Sequence, residues 1–266
     1  MAHVPEAATA EFLSLANVNV ARGDNVVLHD INLKIATGEH VAILGPNGCG
    51  KSTLIKTIAC ECYPIVKPGM DVSIYGRSRW DLTELRKHLG VVQAGLPGEQ
   101  TLRTSGLNAV IAGFFSASTL WPNLEIVADM RARAREALER LGSEYLANKL
   151  VGEMSSGEKR RILIARALVH RPRTLLLDEP SNDLDLAAQR ELREILRRLA
   201  REGTGILMVT HHLSDILPEM ERVLLMKQGR IVADGPKDQI LTASALEALY
   251  GVPVEIAARD GFLHSW

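Results

Sequence analysis

The stretch GPNGCGKST, residues 45–53, follows the apolar run HVAIL and precedes LIKTIA, whose apolar residues have helical spacing. Glycines let backbone N–H groups turn toward phosphate oxygens, and a following helix aims its positive end at them. The spacing matches G-x-x-x-x-G-K-[ST], in which Lys51 reaches the β- and γ-phosphates and the Ser52 hydroxyl binds Mg²⁺. A glycine-rich turn that meets the pattern by chance is the alternative. Because a strand precedes the stretch and a helix follows it, we predict a phosphate-binding loop.

The nucleotide-binding residues predicted in this loop are Gly45, Pro46, Asn47, Gly48, Cys49, Gly50, Lys51, Ser52 and Thr53. Cys49 is either a redox-sensitive position or an incidental small residue, and we favour the second interpretation.

A pair of carboxylates follows the apolar run in TLLLDEP, residues 174–180. The run predicts a buried strand that delivers Asp178 and Glu179 to its carboxyl end, where ligands bind in open α/β sheets. One carboxylate can hold Mg²⁺ while the next polarises an attacking water. A solvated acidic turn explains this sequence by itself, but beside a phosphate-binding loop the pair is typical of nucleotide hydrolysis.

The composition of the whole chain is that of a globular protein, with 266 residues, 46% hydrophobic and a net charge of −1. This charge does not favour a nucleic-acid partner, and none is expected. Three cysteines indicate a reducing compartment rather than a disulfide framework. The start of the chain does not resemble a secretory signal. The uncharged stretch 104–124 is interrupted by Asn, Pro, Ser and Thr, so we predict that it does not span a membrane.

Strands and helices alternate along most of the chain. Strands are predicted at residues 12–21, 25–35, 41–44, 71–76, 89–93, 174–178 and 205–210, with a hairpin at 222–235. Residues 97–171 have mainly helical patterns, and Val127, Met130, Ala134, Leu138 and Leu141 are predicted to share one apolar helix face. The uninterrupted apolar strands favour a parallel sheet covered on both faces.

Further motifs, in order along the chain, resemble those of the ATP-binding-cassette (ABC) ATPases. Gln93 resembles the family's Q-loop glutamine, and MSSGEKRR (154–161) resembles its signature. SNDLD (181–185) then resembles its D-loop, and VTHH (209–212) resembles the strand end that carries its switch histidine. The resemblance covers most of the chain. It implies an α/β P-loop NTPase fold with a mostly parallel core sheet, an N-terminal antiparallel β-subdomain and an inserted α-helical subdomain. One domain would span 1–266, with a core of 1–96 and 172–266 and a helical subdomain of 97–171.

The resemblance also implies roles at the matching positions. Glu179 would be the general base and Asp178 a Mg²⁺ ligand, while Gln93 would sense both Mg²⁺ and the attacking water. His211 would contact the γ-phosphate of ATP. A lone histidine is by default a core or surface residue, but this one follows a strand expected to lie beside the Asp178 strand.

The signature motif implies contacts between two chains. Ser155 and Gly157 would contact ATP held by a second copy, because Ser155 caps a helix whose first N–H groups are free to bind an anion. The signature departs from the family pattern by carrying Ser156 for glycine and Glu158 for glutamine.

Where the family often has an aromatic residue stacked on adenine, the chain has Arg22. An arginine plane can stack on a base, and a solvated turn residue is an equal alternative.

One phosphate loop and one signature per chain imply a dimer of cassettes, most simply a homodimer. The favoured function is the ATPase of a membrane transporter: a cytoplasmic protein, peripheral at the inner face of the membrane through a permease. Phe114, Phe115, Leu120 and Trp121 either receive the permease's coupling helix or form the subdomain's own core. The tail, residues 246–266, looks similar to the ends of importer ATPases for iron–siderophore, vitamin B12 or molybdate-like cargo.

Two other functions compete with transport. SNDLD is also similar to soluble cassette ATPases that act on ribosomes, DNA or Fe–S assembly, but the chain has one cassette and no long coiled-coil insertion. A nucleotide-binding regulator without turnover is disfavoured because Gln93, Glu179 and His211 are all present.

Overall fold

The fold is described from a computed structural model that covers residues 11–93, 95 and 98–265. The strands are β1 (Glu11–Arg22), β2 (Asn25–Ala36), β3 (His40–Leu44), β4 (Asp71–Ile74), β5 (Leu89–Val92), β6 (Thr174–Asp178), β7 (Gly205–Thr210), β8 (Arg222–Lys227), β9 (Arg230–Pro236), β10 (Ile256–Arg259) and β11 (Phe262–Ser265). The α-helices are α1 (Lys51–Ile58), α2 (Leu82–His88), α3 (Gly106–Ile111), α4 (Ala128–Arg140), α5 (Ser156–Leu168), α6 (Leu186–Arg201), α7 (Lys237–Ile240) and α8 (Ala243–Tyr250).

A six-stranded central sheet has the order β5-β6-β7-β3-β8-β9. All neighbouring pairs are parallel except β8 and β9, which form the predicted hairpin. Every residue of β6 and β7 is buried, as the uninterrupted apolar runs predicted. Asp178 pairs with Val209 and Leu44 with Thr210, so β3, β6 and β7 end at the same edge of the sheet. That edge brings together the phosphate loop, the carboxylate pair and the histidine.

A second, antiparallel sheet at the N-terminus has the order β2-β1-β4. Its buried residues share a hydrophobic cluster with Leu54, Ile55 and Ile58 of α1. The hydroxyl of Tyr75, just after β4, forms hydrogen bonds with the Thr174 hydroxyl (2.8 Å) and the His88 carbonyl (3.1 Å). The small sheet is therefore joined to the first residue of β6 by packing and by a polar contact.

The segment between β5 and β6 is mainly helical, with α3, α4 and α5 packed on one another. Ala134, Leu138 and Leu141 are buried as predicted, but Val127 is 45% exposed. Val127 precedes the first turn of α4, where its backbone is extended, so it does not continue the apolar face. The predicted subdomain boundary between residues 96 and 97 lies outside the described residues.

The uncharged stretch 104–124 contains only the short helix α3 and a 3₁₀ turn, Ala112–Phe115. Among the described residues, no helix has the length and apolar character needed to cross a membrane. Phe114, Phe115 and Leu120 pack against the core cluster, whereas Trp121 is 48% exposed. This packing supports the core alternative for three of the four residues, and contact of any of them with a permease stays a prediction.

The end of the chain packs against the loop that follows β7. Strands β10 and β11 form a hairpin, and the Phe262 ring lies under the guanidinium groups of Arg193 and Arg197 on α6, at 5.3 and 5.7 Å. The hydroxyl of Tyr250, the last residue of α8, donates to the backbone carbonyl of His211 in the loop after β7 (3.3 Å).

Candidate active site

The glycine loop joins the end of β3 to the start of α1. A Cβ at Gly45 would lie 2.2 Å from the Met226 carbonyl oxygen, and Gly50 has φ +105°, so both positions require glycine. Gly50 is the N-cap of α1 and provides no side-chain hydrogen bond. The N–H groups of the first turn of α1 therefore lack an intrahelical partner, as an anion-binding helix start requires.

Lys51 is 3% exposed and holds its charge inside this loop. Its Nζ donates to the carbonyl oxygens of Gly45 (2.8 Å) and Pro46 (3.0 Å) and lies 3.4 Å from Glu179 Oε1. The lysine predicted to reach phosphates thus contacts the predicted general base.

Ser52 and Asp178 meet where α1 begins and β6 ends. The Ser52 hydroxyl donates to Asp178 Oδ1 at 2.9 Å, and Asp178 is 7% exposed. Burial raises the pKa of Asp178, and the nearby Glu179 charge raises it too, whereas the hydrogen bond from Ser52 lowers it. A hydroxyl and a carboxylate oxygen this close are the donor types that Mg²⁺ prefers.

Glu179 follows β6 with φ +46°, and each oxygen of its carboxylate has a different neighbour. Asn182 Nδ2 donates to Oε2 at 2.5 Å, and His211 Nδ1 lies 3.3 Å from Oε1 without a directed hydrogen bond. Burial raises the pKa of Glu179, but the Asn182 hydrogen bond and the charges of Lys51 and His211 outweigh burial and lower it overall. The carboxylate is therefore ionised near neutral pH and able to accept a proton.

His211 stands directly after β7, beside the end of β6 as predicted. Its ring lies 3.9 Å from that of His212.

Among the described residues, Gln93 forms no hydrogen bond with Ser52 or Asp178. Its amide donates to Glu61 Oε2 at 2.8 Å, while its backbone carbonyl accepts from Arg160, a residue only 5% exposed. The other amino group of Arg160 donates to the Asn182 carbonyl at 3.4 Å. Arg160 therefore links the loop after β5 to the loop after β6, a contact between distant segments that no sequence motif indicated.

The signature segment forms the start of α5, where Ser155 and Glu158 make a capping box. The Ser155 hydroxyl accepts from the Glu158 N–H (3.2 Å), so one of the N–H groups predicted to be free is occupied. The Glu158 carboxylate accepts from the Ser155 N–H (2.8 Å) and from Lys149 (2.7 Å). A Cβ at Gly157 would lie 2.8 Å from that of Ala188, so glycine lets α5 approach α6.

Ser155 and Gly157 form no hydrogen bond or ion pair with residues 45–53, Asp178 or Glu179 among the described residues. A contact of the signature with ATP on another chain stays a prediction.

Two predicted nucleotide-binding residues differ in exposure. Arg22 is exposed at the β1–β2 turn, where stacking on a base stays a prediction. Cys49 is 5% exposed, and burial raises the pKa of its thiol although Lys51 lowers it. A thiol that ionises reluctantly fits an incidental small residue better than a redox-sensitive one.

A glycine loop between the buried strand β3 and a helix, with two carboxylates at the end of β6 on the same edge of the sheet, defines a P-loop nucleoside triphosphatase. The family described as ABC transporter matches residues 28–182, more than half of the chain. The hemin import ATP-binding protein HmuV of Photobacterium damselae subsp. damselae is 33% identical over 255 residues, covering 93% of this chain and 92% of that protein.

Solved structures give the same assignment. An inward-facing ABC transporter assigned to the metal-chelate type has a TM-score of 0.79 and 26% identity, covering 97% of each chain. The dimeric ATP-binding cassette MJ0796 bound to ADP and Pi has a TM-score of 0.69 and 28% identity, covering 84% of this chain and 98% of that one.

The chain belongs to the ABC transporter family, as a nucleotide-binding ATPase subunit. The predicted fold class and the transport function are confirmed over the soluble alternative.

Proposed function

We propose that two copies of this chain clasp ATP between the glycine loop of one and the signature helix of the other, and that Glu179 is the general base of hydrolysis. The observation that carries the assignment is the position of the Glu179 carboxylate, whose Oε1 lies 3.4 Å from Lys51 Nζ and 3.3 Å from His211 Nδ1. Glu179 takes a proton from the attacking water, while Lys51 and His211 place positive or hydrogen-bonding groups near the γ-phosphate.

Residues 45–53 bind the phosphates through backbone N–H groups, and Ser52 and Asp178 hold Mg²⁺. When bound, the ion neutralises charge on the β- and γ-phosphate oxygens. The 2.9 Å approach of the Ser52 hydroxyl to the Asp178 carboxylate supports this pair as its ligands. Gln93 joins them only after its amide leaves Glu61. The guanidinium plane of Arg22 stacks on the adenine base of ATP.

The second half of each site comes from Ser155 and Gly157 of the other copy. The dimeric MJ0796 cassette bound to ADP and Pi is a precedent for a nucleotide-bound dimer of cassettes. In this chain the N–H groups of Ser156 and Gly157 stand in the first turn of α5, where helix geometry leaves them without an intrahelical acceptor.

A permease is the proposed partner, and a groove between β5 and α5 is its proposed docking place. Apolar side chains of Leu85 and Leu163 line this groove together with the cationic Arg86 and Arg166 and with His170. The groove also contains Gln93, so a segment seated there contacts the residue that bonds Glu61. Docking through this groove puts the chain at the cytoplasmic face of the membrane.

The proposed cargo is a metal chelate, moved inward. A relative named for hemin import and a structural neighbour of the metal-chelate type support this class.

The test replaces Glu179 with glutamine, which keeps its size and removes its basicity. Glu179→Gln is expected to slow ATP hydrolysis about 10²–10⁴-fold, the usual contribution of a general base, while retaining ATP and accumulating as a dimer. Glu247→Gln, at an exposed position of α8, is the matched control and should hydrolyse ATP like the wild type. Hydrolysis by Glu179→Gln at the wild-type rate would exclude this base. A variant that stays monomeric with ATP and Mg²⁺ would exclude the clasp.

A further inference from the structure

Asp215 is a buried carboxylate outside the groups that contact ATP in the proposed function. It ends the 3₁₀ turn Leu213–Asp215, which follows β7, and is 3% exposed. None of the ion pairs among the described residues involves it. Burying a carboxylate without a cation is unfavourable unless hydrogen bonds compensate, so Asp215 depends on its hydrogen-bond donors.

One oxygen of Asp215 receives hydrogen bonds from the loop after β6 and from the last residue of β7. Oδ2 accepts from the Ser181 hydroxyl at 2.5 Å and from the Thr210 hydroxyl at 2.6 Å. Thr210 in turn accepts from the His212 N–H at 3.0 Å, so its hydroxyl is used as donor and acceptor. Ser181 and Thr210 are 3% and 1% exposed, so water does not compete for these bonds.

The two anchored residues directly precede the two neighbours of Glu179. Ser181 precedes Asn182, which donates to Glu179 Oε2, and Thr210 precedes His211, which lies beside Oε1. The Asp215 carboxylate therefore fixes the distance between Ser181 and Thr210, each of which directly precedes a residue beside Glu179.

We propose that Asp215 is a positioning residue, which ties the loop after β6 to the loop after β7 and thereby holds Asn182 and His211 on opposite oxygens of Glu179. The proposal rests on Glu179 being the general base. Lys51 and Ser52 contact the phosphates in the proposed function, and none of their hydrogen bonds passes through Asp215. Loss of Asp215 should therefore affect turnover much more than ATP binding.

The experiment measures steady-state ATP hydrolysis by the purified full chain. Asp215→Ala should lower kcat about 10–100-fold, because a shift of about 1 Å in positioning groups can cost that much. KM for ATP should change less than about threefold, since the phosphate contacts remain. Asp215→Asn keeps an oxygen that can accept both hydroxyls and should retain kcat within about fivefold of the wild type.

Two further variants test the connection itself. Ser181→Ala and Thr210→Val each remove one hydroxyl, and each should lower kcat in the wild-type background. In the Asp215→Ala background neither should have a further effect, because the acceptor they share is already gone. If Asp215→Ala does not fold, the two single variants and their combination provide the same test. Their effects on kcat should then be less than additive.

A purely structural role predicts a different pattern. An Asn variant as slow as the Ala variant, additive effects of all three sites, or a fall in kcat no larger than the fall in the fraction of chains that bind ATP would each overturn the proposal. Unchanged hydrolysis by Glu179→Gln would instead show that the proposed base is wrong.

Discussion

Replacing Tyr75 with phenylalanine tests how the N-terminal sheet is held to the strand that carries Asp178. The substitution keeps the ring, which packs 5.1 Å from that of Phe12, and removes the hydroxyl that bonds Thr174 and the His88 carbonyl. Two hydrogen bonds contribute about 1–3 kcal/mol together. Tyr75→Phe is therefore expected to lower the free energy of unfolding by that amount at pH 7.

At alkaline pH the difference between the two proteins should shrink. Burial raises the pKa of Tyr75 from 10.0 to about 12, although the hydrogen bond with Thr174 opposes the shift. Because the folded-state pKa is the higher one, the stabilisation is complete below pH 10 and is lost as the pH rises to about 12. Two pKa units correspond to about 2.7 kcal/mol, which the wild type loses and Tyr75→Phe does not.

Urea unfolding, followed by far-ultraviolet circular dichroism at pH values from about 7 to about 11.5, gives both quantities, because most of the loss expected between pH 10 and about 12 has occurred at the highest of these values. Burial also raises the pKa of Tyr250 to about 12, but this residue is present in both proteins and cancels in the difference. A constant difference between the two proteins from pH 7 to 11.5 would refute the reasoning, since it would mean that the Tyr75 hydroxyl titrates as in the unfolded chain.

Three other substitutions have expected outcomes. Lys51→Met should lower the free energy of unfolding of the nucleotide-free chain by about 1.5–3 kcal/mol, because it removes charged hydrogen bonds to two loop carbonyls. ATP should no longer raise the urea midpoint of this variant. An unchanged stability of the nucleotide-free chain would contradict the contacts of Lys51. Arg166→Met removes a partly buried guanidinium that donates to the carbonyls of Ala109 and Ala117, so amide exchange across residues 106–117 should quicken, whereas unchanged exchange would contradict the role of Arg166. Gly229 has φ +73°, and a Cβ there would lie 2.0 Å from the Val27 carbonyl oxygen, so Gly229→Ala should lower the free energy of unfolding. The control Gly203→Ala has φ +91° but open space around the Cβ, and should lower it less. Equal losses of unfolding free energy in the two variants would contradict the clash.

Features that depend on local patterns were predictable from the sequence. The apolar strands predicted β6 and β7 as parallel neighbours, which placed Glu179 near His211. The sequence S-x-x-E at Ser155 also predicted a capped helix start, because a capping box needs only residues three positions apart.

Contacts between loops from distant segments were not predictable in this way. Asp215 lies 34 residues from Ser181, and no spacing rule indicates that their side chains meet. The role of Gln93 in sensing Mg²⁺ stays a prediction, but the sequence did not indicate the hydrogen bond of its amide to Glu61, since the orientation of a loop side chain depends on its surroundings. Val127 was placed on a helix face because the pattern gives the periodicity of a helix but not its first residue.

The contacts of Lys51 inside the glycine loop affect how tightly a nucleotide binds. Its positive charge already has three oxygen neighbours within the folded chain, so an arriving phosphate replaces existing contacts instead of creating the first ones. Only the surplus of the new contacts over the old ones adds to affinity. When the product leaves, the Lys51 ammonium group can return to the carbonyl oxygens of Gly45 and Pro46. This exchange favours repeated loading and release over permanent capture.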